Sequence, residues 1–434
     1  MKLGIFFSGN IKEGMDCRYI SSGNPGFAGT PYMFCLISYL LSARENGIEV
    51  ILFTPQKALF PKEVKVINVS QLMEAYHICK EMRIDYFLFK HHELYSDEEL
   101  TMFTQEGKTK LLIWCHNFAD NKALKLYAKS KNVIKIINVG REQLDTYRDH
   151  RAFLKSEYIY NSIDVPRLTT STFNVLPFSQ RKNIVTYMGS VVPGKGFHIL
   201  AKAWKEVLKV IPDAELYVIG NGELYGGGKL GKWNLAEENY ENKFMKYLTE
   251  GDKLLPGVHL MGIMGKEKEE ILGITKVGVP NPSGLTETFC ICGVEMQMAG
   301  ARIAAYQCAG YLDTIRNGTI YKKRSQLAAS IIRELQRKDN NYDEAISFIN
   351  EHFSQEIIAA EWERLLTECI PKNTHLHDIY PLAHPYFELK QLKDRLRLLK
   401  SKFPILYSFL PTIDTFISLW KKAGYKIFKI HNGF

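Results

Sequence analysis

Between Asn183 and Gly222 the chain spells out one folding unit. Asn183 to Met188 is an apolar run closed by Gly189, the pattern of a buried strand. A turn rich in glycine, Gly189-Ser-Val-Val-Pro-Gly-Lys-Gly, leads into an amphipathic helix from His198 to Val210. Ala214 to Ile219 is a second strand, ended by Gly220-Asn-Gly222. Strand, glycine turn, helix, strand is a βαβ unit, whose crossover makes the two strands parallel. A chain containing it folds as α/β, with helices covering a mostly parallel sheet.

The first half repeats this grammar. Met1 to Gly9 reads as a strand and glycine turn, too short an apolar run for a signal peptide. Ser21 to Pro31 is a loop rich in Gly and Pro, ahead of a helix from Tyr32 to Arg44. Further strands are expected at Glu49–Thr54, Asp85–Phe89, Lys110–Asn117 and Val133–Asn138, with a helix near Gln71–Met82. His116 follows a strand's carboxyl end, where open α/β sheets bind ligands. Pro166 to Arg181 is polar and carries two prolines, so it reads as a linker. A length of 434 residues holds two such units, and 46% hydrophobic residues suffices for two cores. Eight cysteines without a C-x-x-C pair point to reduced thiols of a cytoplasm. No apolar run is long enough to predict a spanning helix.

Two carboxylates mark the second half. After the buried run Val277–Val279, the stretch Asn281 to Gly300 reads N-P-S-G-L-T-E-T-F-C-I-C-G-V-E-M-Q-M-A-G. Asn-Pro and Ser-Gly are turn residues, and Thr286 or Thr288 is a candidate helix cap. Glu287 then lies in a loop, and Glu295 lies about two turns into a helix. The helix N-terminus offers free N–H groups and partial positive charge to a phosphate.

The turn, the aromatic after the first Glu, both carboxylates and the closing Gly resemble the E-x7-E signature of retaining family-4 glycosyltransferases. Y-x-G-x-x-x-x-K-G with its following helix and strand resembles the opening of that family's second domain. Asn161-Ser-Ile-Asp164 resembles the N-G-[IV]-D element that closes the first, with Ser162 in place of Gly. The resemblance implies a GT-B fold, two Rossmann-like domains facing a cleft. It covers roughly residues 1–370 and divides the chain into an acceptor domain at 1–165, a linker at 166–182 and a donor domain at 183–350. A closing helix at 351–370 then returns to the first domain.

By that resemblance, Lys195 neutralises the donor diphosphate, His116 lies close to the transferred sugar and Glu287 binds the sugar hydroxyls. Glu295 takes the donor ribose. Gly29, Thr30, Gly189, Ser190, Thr288, Phe289, Cys290 and Ile291 line the donor, and Ile263 and Met264 fall where a backbone loop holds the base. Ser190 stands where the family often has Arg. The tail of the motif, Cys308-Ala-Gly310 to Asp313, follows the family loosely, with Ala309 for one Gly and Asp313 for Glu. No cofactor or metal site is expected. Residues 222–250 read as an insertion without an assigned function.

Residues 371–434 lie beyond the resemblance. From Tyr386 to the end, ten Lys and Arg against three acids leave +7 of the chain's +9. Leu389, Leu392, Leu396, Leu399 and Phe403 form a short apolar stripe. Basic, aromatic, amphipathic helices suit an anionic bilayer surface. The rest of the chain is near neutral and has no nucleic-acid motif. The expected activity is retaining transfer of a sugar from a nucleotide diphosphate donor, UDP-sugar favoured over GDP-sugar. The acceptor would be a hydroxyl of a glycan or lipid-linked glycan in bacterial surface polysaccharide synthesis, at the inner face of the cytoplasmic membrane. The alternatives are another GT-B enzyme (an epimerase or a phosphorylase) and a non-catalytic sugar-binding scaffold.

Overall fold

Two all-parallel sheets organise the chain. The computed structural model describes residues 1–9, 11, 13–164, 176–225, 228–285, 287–368 and 381–420. The first sheet holds β1 (Lys2–Phe6), β2 (Glu49–Thr54), β3 (Lys65–Asn68), β4 (Tyr86–Lys90), β5 (Lys110–Cys115), β6 (Val133–Asn138) and β7 (Ser156–Tyr158), in the order β3-β2-β1-β4-β5-β6-β7. The second holds β8 (Ile184–Met188), β9 (Glu215–Ile219), β12 (Val258–Gly262), β13 (Val277–Gly278), β14 (Arg302–Tyr306) and β15 (Gly318–Tyr321), in the order β12-β9-β8-β13-β14-β15. A small hairpin, β10 (Thr249–Glu250) with β11 (Lys253–Leu254), lies apart. This is the GT-B architecture of two Rossmann-like domains.

Runs such as Val50–Phe53 and Leu111–Cys115 are buried throughout, as parallel strands covered on both faces must be. The helix Gly29–Ser42 is apolar nearly all round and sits in the first core. The helix Gln355–Glu368 crosses back to that core, where Trp362 packs on Trp114 with ring centroids 4.8 Å apart. Phe289, Val294 and Met298 of the second domain join the same apolar cluster, so the two domains share core along one side of the cleft.

Three details refine the expectations. The motif helix runs from Ile291 to Met298, and its cap is Cys290 in a left-handed conformation (φ 72°). Thr288 therefore does not cap it, and Thr286 lies outside the described residues. Ser162 shows no positive φ, so a serine is accommodated there without strain. Arg181, placed in the linker, is buried and donates to the carbonyls of Leu176, Thr275 and Ala299. It fills the space a side chain at Gly300 (φ 84°) would need, which is why the motif closes on glycine. Residues 165–175 of the linker are outside the described chain.

The C-terminal helix, Phe387–Lys402, turns four of its six cations toward the protein rather than toward solvent. Its cations Lys390, Lys393, Arg397 and Lys400 are buried against the first domain, while Leu392, Leu398, Leu399 and Phe403 face solvent. The acidic stripe Glu142, Asp145, Asp149 explains this. Lys390 donates to Glu142 and Asp145, Lys400 to the carbonyl of Asp149, and Arg148 to Asp394. The residues from 421 on are outside the described chain.

Candidate active site

Strands β8 and β13 are neighbours, with Val185 opposite Val277 and Thr186 opposite Gly278. They flank the point where the strand order reverses, so the loops leaving their carboxyl ends diverge around a crevice. The loop after β8 carries Lys195, and the loop after β13 carries Glu287. Gly189 and Gly220 let the two first turns touch, since a side chain at Gly220 would overlap the Gly189 carbonyl.

Lys195 Nζ donates to Glu287 Oε2 at 3.0 Å, and Asn281 Nδ2 donates to the same oxygen at 3.0 Å. Glu287 is buried, and its backbone carbonyl accepts from Gly310 N at 3.1 Å. Lys195 stays partly exposed, so its ammonium can reach an incoming anion. Asn281 is fixed in turn by Ser283, whose backbone N–H donates to Asn281 Oδ1 at 3.2 Å and whose single hydroxyl proton is shared between that oxygen and the Gly194 carbonyl. The two loops are thus tied to each other through side chains on both.

Glu295 is also paired. Lys268 Nζ donates to its two carboxylate oxygens at 2.8 and 3.0 Å, and both groups are buried. Sequence reading missed Lys268 because it sits in the polar run Lys266-Glu-Lys-Glu-Glu270, which looks solvated. Gly310 was missed as well. A Cβ there would lie 2.6 Å from Phe289 N and 2.7 Å from the Thr288 carbonyl carbon. The helix Ala309–Thr314 can approach the Glu287 loop only because that residue is glycine.

The first domain supplies His116. Its ring packs on Trp114 and Phe34, with centroids 4.4 and 5.8 Å away. Burial, with Lys90 nearby, pushes its pKa down to about 3, so the imidazole is neutral at ordinary pH. Its Nε2 is buried with no partner among the described residues. Its carbonyl accepts from Thr288 Oγ1 at 2.7 Å, across the cleft. Gly29 faces the motif helix, where a Cβ would meet Ile291 Cδ1 at 3.2 Å. Thr30 follows it in the first turn of its helix.

The remaining candidates are placed as follows. Ser190 is buried and its hydroxyl donates to the Asn221 carbonyl, away from the Lys195 pair. The Phe289 ring is buried between Tyr160 and Phe353, which leaves its backbone for a ligand. Cys290 and Cys292 are free thiols with sulfurs 3.4 Å apart. Ile263 is exposed just past β12 and Met264 is half-buried beside it. A second cross-domain tie lies behind the site. Asp313 accepts from Glu142 N at 2.9 Å and from Tyr160 Oη at 3.1 Å. Burial and the charge of Glu142 raise its pKa to about 8. No group of three or more potential metal ligands occurs among the described residues.

Two Rossmann-like parallel-sheet domains are the GT-B fold, and a lysine and a glutamate converge from adjacent strand ends of the second. Residues 169–348 match the model of the family described as glycosyl transferases group 1. No curated protein sequence matches the chain. Among solved structures, Anabaena HepE in complex with UDP and glucose aligns at a TM-score of 0.60 and 14% identity, over 85% of this chain and all of that one. The catalytic domain of starch synthase IV from Arabidopsis thaliana, bound to ADP and acarbose, aligns at 0.56 and 11%, over 85% and 99%. AviGT4, a glycosyltransferase of avilamycin A biosynthesis, aligns at 0.53 and 13%, over 85% and 98%. At these identities the likeness speaks for the fold.

Proposed function

We propose that the chain transfers a sugar from a nucleotide diphosphate donor to a hydroxyl of a glycan or lipid-linked glycan, with retention at the anomeric carbon. The observation that carries this reading is the Lys195–Glu287 pair at the crevice, on a loop that Thr288 joins to the His116 carbonyl of the other domain. Negative charge develops on the diphosphate as its bond to the sugar breaks, and a fixed ammonium stabilises it. Lys195 is that group, assisted by the free N–H groups at the start of the helix Ile291–Met298. Glu287, held by Asn281, accepts from sugar hydroxyls, and His116 Nε2 takes one more. Glu295, oriented by Lys268, accepts from the donor ribose. The acceptor oxygen bonds to the anomeric carbon on the face the diphosphate leaves, and its proton passes to a diphosphate oxygen. No carboxylate in this reading serves as a covalent nucleophile.

UDP-sugars are the donors to try first, in keeping with the UDP bound by the Anabaena structure. The setting proposed is bacterial surface polysaccharide synthesis, with the enzyme peripheral on the cytoplasmic membrane. No helix among the described residues is long and apolar enough to cross one. The test is to incubate the enzyme with UDP-hexoses and a lipid-linked acceptor, follow UDP release, and read the product anomer by NMR coupling constants. An inverted product would overturn retention. Isomerised donor without UDP release would mark an epimerase, pyridoxal absorbance a phosphorylase, and binding without turnover a scaffold.

A further inference from the structure

The C-terminal extension is built the opposite way from an ordinary surface helix. In water a helix turns its apolar side inward and its charges outward. Here Lys390, Lys393, Arg397 and Lys400, spaced three, four and three residues apart, all point into the first domain. Lys390 is met there by Glu142 and Asp145, Lys393 by the Thr146 carbonyl and Lys400 by the Asp149 carbonyl, while Arg397 pairs with Asp394 of its own helix and lies over the Phe153 ring. Lys393 also pairs with Asp414 at 2.6 Å, and Asp149 accepts from Ile413 N at 2.8 Å, which ties down the start of the next helical stretch, 413–420. The polar side is thus used to fasten the extension, and the apolar side is presented outward.

That outward side is large. Among the described residues, half of the exposed large apolar side chains fall between Leu382 and Trp420. Phe403, Ile405, Phe409, Phe416, Leu419 and Trp420 are each 55 to 75% exposed. A patch of this kind is uncommon on a protein that stays in water and marks a surface of interaction. The charge beside it selects the occupant. Arg395 and Lys402 are exposed on the same helix, and the sequence continues with Lys421, Lys422, Lys426 and Lys429 and no acid through Phe434. Exposed aromatic and aliphatic side chains in a stretch of basic sequence match the interfacial layer of an anionic bilayer.

We infer that residues 392–420 form a preassembled membrane-docking face, inserted by its apolar side chains and held to the catalytic domain by the buried cations. This deepens the membrane placement proposed above by naming the surface, and it needs neither donor nor acceptor to be tested. It also differs from a purely electrostatic tail, because four of the helix's six cations are already spent on the protein.

The full-length protein is sedimented with vesicles of phosphatidylethanolamine containing phosphatidylglycerol. Wild type is expected in the pellet, less so with neutral vesicles, and partly retained as sodium chloride is raised, since apolar insertion survives screening. Phe409→Asp with Trp420→Asp should lower the bound-to-free ratio at least about tenfold at unchanged melting temperature. Phe409→Ser with Trp420→Ser should lower it less. Truncation after Trp420 should weaken binding by removing the trailing lysines. The inference is overturned if wild type stays in the supernatant, or if the aspartate variant sediments like wild type. It is equally overturned if truncation strengthens binding, which would make 421–434 the cover of the face. A wild-type dimer that the substitutions convert to monomer without vesicles would make a second copy the occupant, and would overturn it too.

Discussion

Thr288 donates its hydroxyl to the carbonyl of His116 at 2.7 Å, and so fastens the carboxylate loop of one domain to the strand end of the other. The residue between the fastening and the paired Lys195 is Glu287 itself. The loop that presents Glu287 is therefore also the loop that crosses the cleft to the first domain. Thr288→Val keeps the shape and removes the bond. A buried hydrogen bond of this kind contributes about 1 kcal/mol, so kcat/KM should fall roughly 2- to 10-fold with folding intact. Initial rates beside a circular dichroism melt check it.

Gly310→Ala places a methyl group against backbone atoms of Thr288 and Phe289, which cannot step aside as a flexible side chain would. Overpacking of this kind costs about 1–3 kcal/mol. The expected outcome is a lowered melting temperature together with loss of donor affinity. Gly194→Ala is the matched control, since nothing lies within 4 Å of a Cβ there. It should leave the melting temperature near wild type.

Lys195→Ala should lower turnover at least about tenfold, if the ammonium contributes about 1.4 kcal/mol or more to stabilising the leaving diphosphate. Turnover of the wild type should persist in EDTA. Complete loss in EDTA, restored by manganese, would move the diphosphate charge onto a metal.

Asp313 gives the fold a pH dependence of known sign. Its folded pKa, raised to about 8 chiefly by burial and then by Glu142, lies above the ordinary carboxylate value. Between those two values the unfolded chain releases a proton the folded chain keeps, so stability falls as pH rises from about 4 to about 8. His116, with its pKa lowered to about 3, acts at the other end and costs stability as pH falls below about 6.5. Asp313→Asn should remove the loss on the alkaline side. Melting curves from pH 5 to pH 9 should show the wild type declining relative to the variant, and parallel curves would contradict the assignment.

What the sequence made legible was whatever repeats locally. The strand-turn-helix unit after Asn183 and the buried runs at Glu49 and Lys110 needed no knowledge of their neighbours. The loop positions of Lys195 and Glu287 followed from the turns around them. Pairings between distant segments were hidden. Lys268 reads as one more surface lysine until Glu295 is brought against it. The C-terminal helix carries two stripes of the same period, one of leucines and one of cations, and hydrophobicity alone does not say which one faces the first domain. The deciding signal lay about 250 residues earlier, in Glu142, Asp145 and Asp149, whose spacing of three and four matches the cations that cover them. The left-handed Cys290 was equally hidden, since a non-glycine residue gives no sign of a positive φ.

The central claim is that the crevice between Lys195 and Glu287 holds a nucleotide diphosphate sugar, and the most direct measurement is a thermal-shift titration of the full-length protein with UDP, UDP-glucose and GDP-mannose. A ligand that binds only the folded state raises the melting temperature in proportion to the logarithm of its concentration above Kd. At least one nucleotide sugar should raise the melting temperature of the wild type, and the same concentration should raise that of Lys195→Ala clearly less. Equal shifts in the two proteins, or no shift with any nucleotide or nucleotide sugar, would contradict the account.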